Sequence, residues 1–167
     1  MTGGGGSGVG PTAAVDRMSA QPATSRMRRA TAEDAAEIAR LTGELGYAAS
    51  AEEILHRLRT LTPDASQLVL VMELAPGKLG AWMHAGERLT LESGLRTEII
   101  GLVVDAACRR RKLGATLVAE AERWARQRGA PALAVRSNAT RIESHEFYPA
   151  LGFARSKTQH LYWKVLA

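Results

Sequence analysis

The chain has one cysteine, Cys108, so no internal disulfide can brace it. That scarcity fits a reducing compartment. No apolar run is long enough to span a bilayer, and the N-terminus has no basic-then-apolar leader pattern. A cytoplasmic protein without membrane association is therefore expected. No Gly-Lys-Ser/Thr is present, which excludes a P-loop. No Gly-x-Gly-x-x-Gly follows an apolar strand, which weakens a dinucleotide-binding reading. The first residues, Met1 to about Ser25, are poor in large apolar groups and rich in Gly, Ser, Ala, Thr and Pro. Such a stretch cannot bury enough surface to offset ordering entropy, so residues 1–26 read as a disordered tail, with Met18 and Met27 as alternative starts.

What is present suits one domain over residues 27–167. Hydrophobic residues make up 46% and charged residues 23%, ordinary proportions for a globular protein with a substantial core. The formal net charge is +5, which in general points to nucleic acid. Here the basic residues are scattered except at Arg109 to Lys112. That cluster sits where an apolar run, Thr97 to Val104, passes through a turn into an amphipathic stretch ending near Arg128. A strand feeding a helix in this way aims backbone N–H groups outward at the positive end of the helix dipole, where phosphate-bearing ligands bind. A phosphorylated small molecule is therefore expected ahead of nucleic acid.

Periodicity gives the rest. Met27 to Ala30 is a short strand, and Thr31 caps a helix with acidic residues in its first turn. A second helix covers about Ala51 to Leu61, with Ser50 as cap and Ile54, Leu55, Leu58 and Leu61 as its buried stripe. Gln67 to Leu74 and Leu79 to His84, or on to Leu89, form a hairpin about Pro76-Gly77. Trp82 and His84 share a face of the second strand, and His84 reads equally as pocket lining or as an ordinary hydrogen-bonded histidine. Leu95 to Val104 is a long strand, Ala115 to Gln127 a helix ending at Gly129, and Pro131 to Ser137 a buried strand parallel to it. Asn138 to Ala150 is a further helix, and Lys157 to Leu166 the last strand.

Arg109-Arg110-Arg111-Lys112-Leu113-Gly114 resembles the acyl-CoA loop of the GNAT N-acetyltransferases, Gln/Arg-x-x-Gly-x-Gly/Ala, with Lys112 in place of its first glycine. Asn138-x-x-Arg141-x-x-x-His145-x-Phe147-Tyr148-x-x-Leu151-Gly152-Phe153 is similar to the family's C-terminal motif. The order of elements agrees as well. The resemblance covers about Met27 to Leu166. It implies an α/β (α+β) acyl-CoA N-acyltransferase fold: a mixed sheet of six to seven strands, splayed between two parallel strands, with about four helices.

It also implies acetyl-CoA as co-substrate, with no metal, and an amine acceptor. The backbone of Leu102, Val103 and Val104 would pair with the pantetheine amides, and Gly101 would carry the bulge that bends the strand. Arg109, Arg110, Arg111, Lys112, Leu113, Gly114 and Ala115 would hold the pyrophosphate, chiefly through N–H groups. Asn138 resembles a pantetheine contact, with helix capping as its other reading. Tyr148 resembles the residue that protonates the departing thiolate. Glu98 stands where histone-type members carry a glutamate base. Period-two geometry puts it on one face with Ile100, Leu102 and Val104, and an ion pair with an arginine is its alternative reading. His145 reads as packed or locally capped. Cys108 is not expected to carry an acyl group, because direct transfer is the family's usual route.

The acceptor is less constrained. Glu44, Glu92, Glu98 and Glu143 would make its region acidic and suit a polycation. The C-terminal residues look like those of aminoglycoside 6'-acetyltransferase-like members. A small primary amine is expected ahead of a protein amine, and a homodimer is compatible. The competing function is a non-catalytic acyl-CoA-binding regulatory module, which would need neither Glu98 nor Tyr148.

Overall fold

A computed structural model describes residues 25–166. The expected tail lies outside the described residues except for Ser25 and Arg26. The elements run β1 (Arg26–Arg29), α1 (Ala35–Glu44), α2 (Ala51–Leu61), β2 (Gln67–Ala75), β3 (Lys78–Thr90), β4 (Gly94–Val104), α3 (Leu113–Gln127), β5 (Leu133–Val135) and α4 (Ile142–Ala150). The strands form one sheet in chain order, antiparallel from β1 to β4 and parallel between β4 and β5. Among the described residues no helix is long and apolar enough to cross a membrane.

Helices cover both faces, and this explains why β2 is apolar throughout rather than alternating. Leu68, Leu70 and Met72 point to a core shared with Leu117, Val118 and Trp124 of α3. Val69 and Val71 point the other way, to Ile38, Leu41, Ile54 and Leu58 of α1 and α2. The α2 cap is reciprocal. The Glu53 N–H donates to Ser50 Oγ at 3.1 Å, and the Ser50 N–H donates to Glu53 Oε2 at 2.8 Å.

Four differences from the sequence reading matter most for the architecture. The sheet has five strands, not six to seven, because residues 154–166 join no ladder. Leu161, Tyr162, Trp163, Val165 and Leu166 are exposed there. A strand persists only where a neighbour takes its backbone groups, and no described strand pairs with this run. β5 is three residues long instead of seven. α4 starts at Ile142, not Asn138, because Asn138 Oδ1 accepts from the Thr140 N–H and hydroxyl, each at 3.0 Å. That side-chain turn competes with helix formation. α3 starts two residues earlier than expected, at Leu113, which is buried and anchors the first turn.

The fourth strand carries the bulge expected near Gly101. His84 pairs with Gly101 and Ala85 with Ile99, so Ile100 is the extra residue. An extra residue reverses the alternation beyond it. Leu102 and Val104 therefore pack with Ile99 on the α3 side, and Val103 packs on the α1–α2 side. The expectation that Glu98 shares a face with Leu102 and Val104 is corrected accordingly. Gly101 also allows a close approach: a Cβ there would lie 2.8 Å from the Trp82 ring.

Candidate active site

The ladder between β4 and β5 has three rungs, Thr97 with Leu133, Glu98 with Ala134, and Ile99 with Val135. Thr97 Oγ1 ties the near end by donating to the Ala132 carbonyl at 2.8 Å. β4 then continues through Val104, and no described strand pairs with that edge beyond Ile99. The sheet thus opens into a fork whose one arm is the backbone of Ile100 to Val104. Leu102, Val103 and Val104 all lie on this arm.

The arm leads to the basic turn. Arg110 and Lys112 have φ of 65° and 62°, the only non-glycine residues described with positive φ. Left-handed conformations alternating with ordinary ones turn successive N–H groups inward and make an anion-sized concavity. Lys112 is the N-cap of α3, and its carbonyl accepts from the Thr116 N–H at 3.0 Å. The first-turn N–H groups of Leu113, Gly114 and Ala115 have no acceptor inside the helix. Gly114 is buried and lets β4 and α4 pack close to the start of α3, since a Cβ there would stand 3.2 Å from the Phe147 ring and 3.3 Å from Val104. The side chains of Arg109, Arg110, Arg111 and Lys112 are exposed, whereas Leu113 is core and offers only its backbone. Arg109 Nη1 donates to Glu143 Oε1 at 2.9 Å, linking the turn to α4.

Glu98 is 8% exposed, so bulk water does little to solvate its charge. Arg136 Nη1 lies 3.4 Å from its Oε1, and Arg88 Nη1 lies 3.9 Å from its Oε2. The carboxylate is at the base of a cleft of about 340 Å³ lined by Gly86, Glu87, Arg88, Glu98, Ile100 and Arg136. Gly86 is directly across from Glu98, and the absence of a side chain there lets Gln67 and Ile100 pack close: a Cβ would lie 2.5 Å from Gln67 Oε1 and 3.1 Å from Ile100 Cδ1. His84 lies outside this lining; it pairs with Gln67 Oε1 at 2.8 Å, and burial lowers its pKa.

Tyr148 is half-buried in α4, edge-on to Phe147 and Phe153 at 5.1 and 5.6 Å. Burial raises the phenol above its ordinary pKa, partly opposed by the Arg141 charge. Its hydroxyl takes no hydrogen-bond partner among the described residues. Asn138 is exposed and engaged in the turn to Thr140. His145, expected to be packed or locally capped, is exposed. Cys108 is buried in the core.

This fork, with a left-handed basic turn at a helix start beyond it, has known counterparts. The model of the acetyltransferase (GNAT) family matches residues 36–153. The chain belongs to the GNAT family. Among solved structures, the GNAT chain is similar to an aminoglycoside 6'-N-acetyltransferase from Acinetobacter haemolyticus, with 20% identity and a TM-score of 0.72 over 85% of this chain and 99% of that one. A glucosamine-6-phosphate N-acetyltransferase from Arabidopsis thaliana has 20% identity and a TM-score of 0.74 over 84% of this chain and 98% of that one. An aminoglycoside N-acetyltransferase solved with CoA has 19% identity and a TM-score of 0.74 over 86% of this chain and 98% of that one. At such identities the likeness establishes the fold. No curated protein matches this GNAT chain by sequence.

Two features of this acetyltransferase escaped the sequence reading. One is the identity and number of the arginines beside Glu98, Arg88 and Arg136, where the sequence reading offered an unspecified arginine as an alternative role. The other is Arg40, which donates to Glu37 at 2.8 and 2.9 Å, to Glu44 at 3.3 Å, to Asp105 at 2.9 Å and to the Leu79 carbonyl at 3.1 Å. Glu44 in turn accepts the Ala106 N–H at 3.0 Å, so α1 fixes the segment between β4 and the basic turn. Arg40 holds Glu37 at a pKa of about 2, and the Ala107 N–H, assisted by Arg40, lowers that of Asp105. Of the four carboxylates of the expected acidic region, three are held in ion pairs, and Glu92 is exposed. Glu44 pairs with Arg40, Glu98 with Arg88 and Arg136, and Glu143 with Arg109. Only the Arg40–Glu44 pair follows from spacing along one helix; the partners of Glu98 and Glu143 lie on other strands or turns, where sequence spacing carries no signal.

Proposed function

We propose that this protein transfers the acetyl group of acetyl-CoA to the primary amine of a small molecule by direct attack. One observation carries the reading: β4 and β5 part after Ile99 and Val135, and the free arm of β4 leads to two left-handed residues at a helix N-terminus. These residues fit an acyl-CoA. The Ile100 to Val104 edge, with Leu102, Val103 and Val104, supplies unpaired backbone groups for pantetheine amides. The turn from Arg109 to Ala115 supplies N–H groups and charge for the pyrophosphate. Asn138 adds a pantetheine contact if its side chain leaves Thr140.

Acetyl-CoA supplies an activated acetyl thioester. An alkyl ammonium has a pKa of about 10 and no lone pair, so the acceptor must first lose a proton. Glu98 takes that proton, directly or through water, and the neutral amine forms the new C–N bond. Breaking the C–S bond releases a thiolate, which Tyr148 protonates. The raised pKa of Tyr148 supports this role, because the phenol keeps its proton through neutral pH.

Calorimetric titration with acetyl-CoA tests the binding half, and thiol release in the presence of primary amines tests transfer. Micromolar binding with amine-dependent thiol release is expected. Binding without thiol release across a broad amine panel would favour the regulatory-module reading, and no binding would remove both.

A further inference from the structure

The cleft at Glu98 is lined by two arginines and two carboxylates, one of which is neutralised from outside the lining. Arg88 and Arg136 both reach Glu98, yet their side chains are 57% and 63% exposed. Each guanidinium therefore keeps donors available after its contact with the one shared carboxylate. The other carboxylate in the lining, Glu87, is already held by Arg128 at 2.6 and 2.7 Å. Arg96 stands directly across from Arg88 in the β3–β4 register, and the side chains of like-charged partners on that face repel. A hairpin tolerates such a pair more readily when an anion lies against it. Along the sheet, Arg88 comes from β3 and Arg136 follows β5, so two strands bring guanidinium groups to opposite sides of a carboxylate on the strand between them.

From this arrangement we propose that the acceptor is an amine that also carries an oxyanion, a carboxylate or a phosphate, bound by Arg88 and Arg136 while Glu98 faces the ammonium. The proposal rests on the acetyl-transfer reading for its catalytic consequence. It replaces the polycation expected from the sequence: a polycation would meet two guanidinium groups at the cleft and one carboxylate already shared between them. An oxyanion accepts charge-assisted bonds from both arginines, and its ammonium complements the carboxylate at the base.

The test uses the full chain and four amines of similar size: ethanolamine, ethanolamine phosphate, β-alanine and putrescine. Thiol release should show kcat/KM for ethanolamine phosphate or β-alanine about tenfold or more above ethanolamine and putrescine. The better of those two identifies the oxyanion. Arg88→Gln and Arg136→Gln should each lower the ratio of kcat/KM for the anionic amine to that for ethanolamine by about tenfold, a ratio from which any common effect through Glu98 cancels. Arg→Lys should restore part of the loss. A role confined to shaping the sheet would shift both amines together, and that outcome overturns the proposal. So does a preference for ethanolamine or putrescine.

Calorimetric binding of ethanolamine phosphate against ethanolamine is the second arm. It decides the anion site even if acetyl-CoA fails to bind and the acetyl-transfer reading falls. Tighter binding of the phosphate ester, lost in the Arg88→Gln/Arg136→Gln double variant, supports the site; equal binding overturns it.

Discussion

Ile99 faces Val135 in the last rung that β4 and β5 share. Two local devices end the ladder there. The extra residue Ile100 bends β4 away, and the side-chain turn at Asn138 draws the chain out of β5 within three residues. Neither arm can close without removing a bulge or breaking that turn. The opening is thus built into the backbone and does not depend on a side chain moving aside.

Glu98→Gln keeps the shape of the cleft and removes the proton acceptor. Turnover at pH 7 should fall by about a hundredfold, and the loss should shrink toward pH 10 as the amine deprotonates unaided. Acetyl-CoA affinity should stay within about twofold, since Glu98 lies below the free arm of β4. Steady-state rates across pH with a calorimetric control measure this. Unchanged turnover at pH 7 removes Glu98 from the mechanism.

Tyr148→Phe removes only the hydroxyl. The ring contacts with Phe147 and Phe153 should persist, so the melting temperature should change little. A drop in kcat of about tenfold or more is expected, with KM for acetyl-CoA nearly constant. Because the Tyr148 pKa is raised, the proton is present below that value and lost above it, so the wild-type rate should hold into alkaline pH. A pH profile that declines near neutrality would count against the assignment.

Lys112 holds a left-handed φ of 62° that costs an L-residue roughly 1 kcal/mol. Lys112→Gly removes that cost but adds unfolded-state entropy, so a net change within about 1 kcal/mol is expected. Lys112→Val, branched at Cβ, should destabilise by about 1–2 kcal/mol. Thermal unfolding of the two variants separates them. Equal stability of Val and Gly at this position would mean that the backbone relaxes out of the left-handed region.

Arg40→Gln leaves Glu37, Glu44 and Asp105 facing one another without their shared cation. A loss of about 2 kcal/mol at pH 7 is expected. The folded-state values of Glu37 and Asp105 are depressed, so their contribution is full above the ordinary carboxylate range. It disappears as pH falls from about 4.5 toward about 2. Denaturant unfolding between pH 7 and 2 should show a shallower acid decline in Arg40→Gln than in wild type. Parallel curves would show that the cluster adds nothing to acid stability.

Much of the fold was legible because its signals are local. The Ser50–Glu53 cap, the Pro76-Gly77 turn and the stripe Leu117, Val118, Ala121, Trp124 are spacings along one chain segment, and each appears where the pattern put it. The basic turn with its preceding strand, the Asn138 to Phe153 motif and the order of elements together pointed to the family without coordinates.

The amino-acid sequence determined which segments turn, pair and cap, and that a helix start follows the long strand. Tertiary structure decided which side chains meet. The bulge at Ile100 reversed the faces of Leu102 and Val104, a one-residue event that period-two reading cannot register. Glu98 acquired Arg88 and Arg136 because two neighbouring strands, not two neighbouring residues, flank it. Residues 154–166 stayed out of the sheet because a strand needs a partner as well as a pattern. Periodicity is written in one dimension, whereas charge pairing and ladder closure depend on which segments adjoin in space.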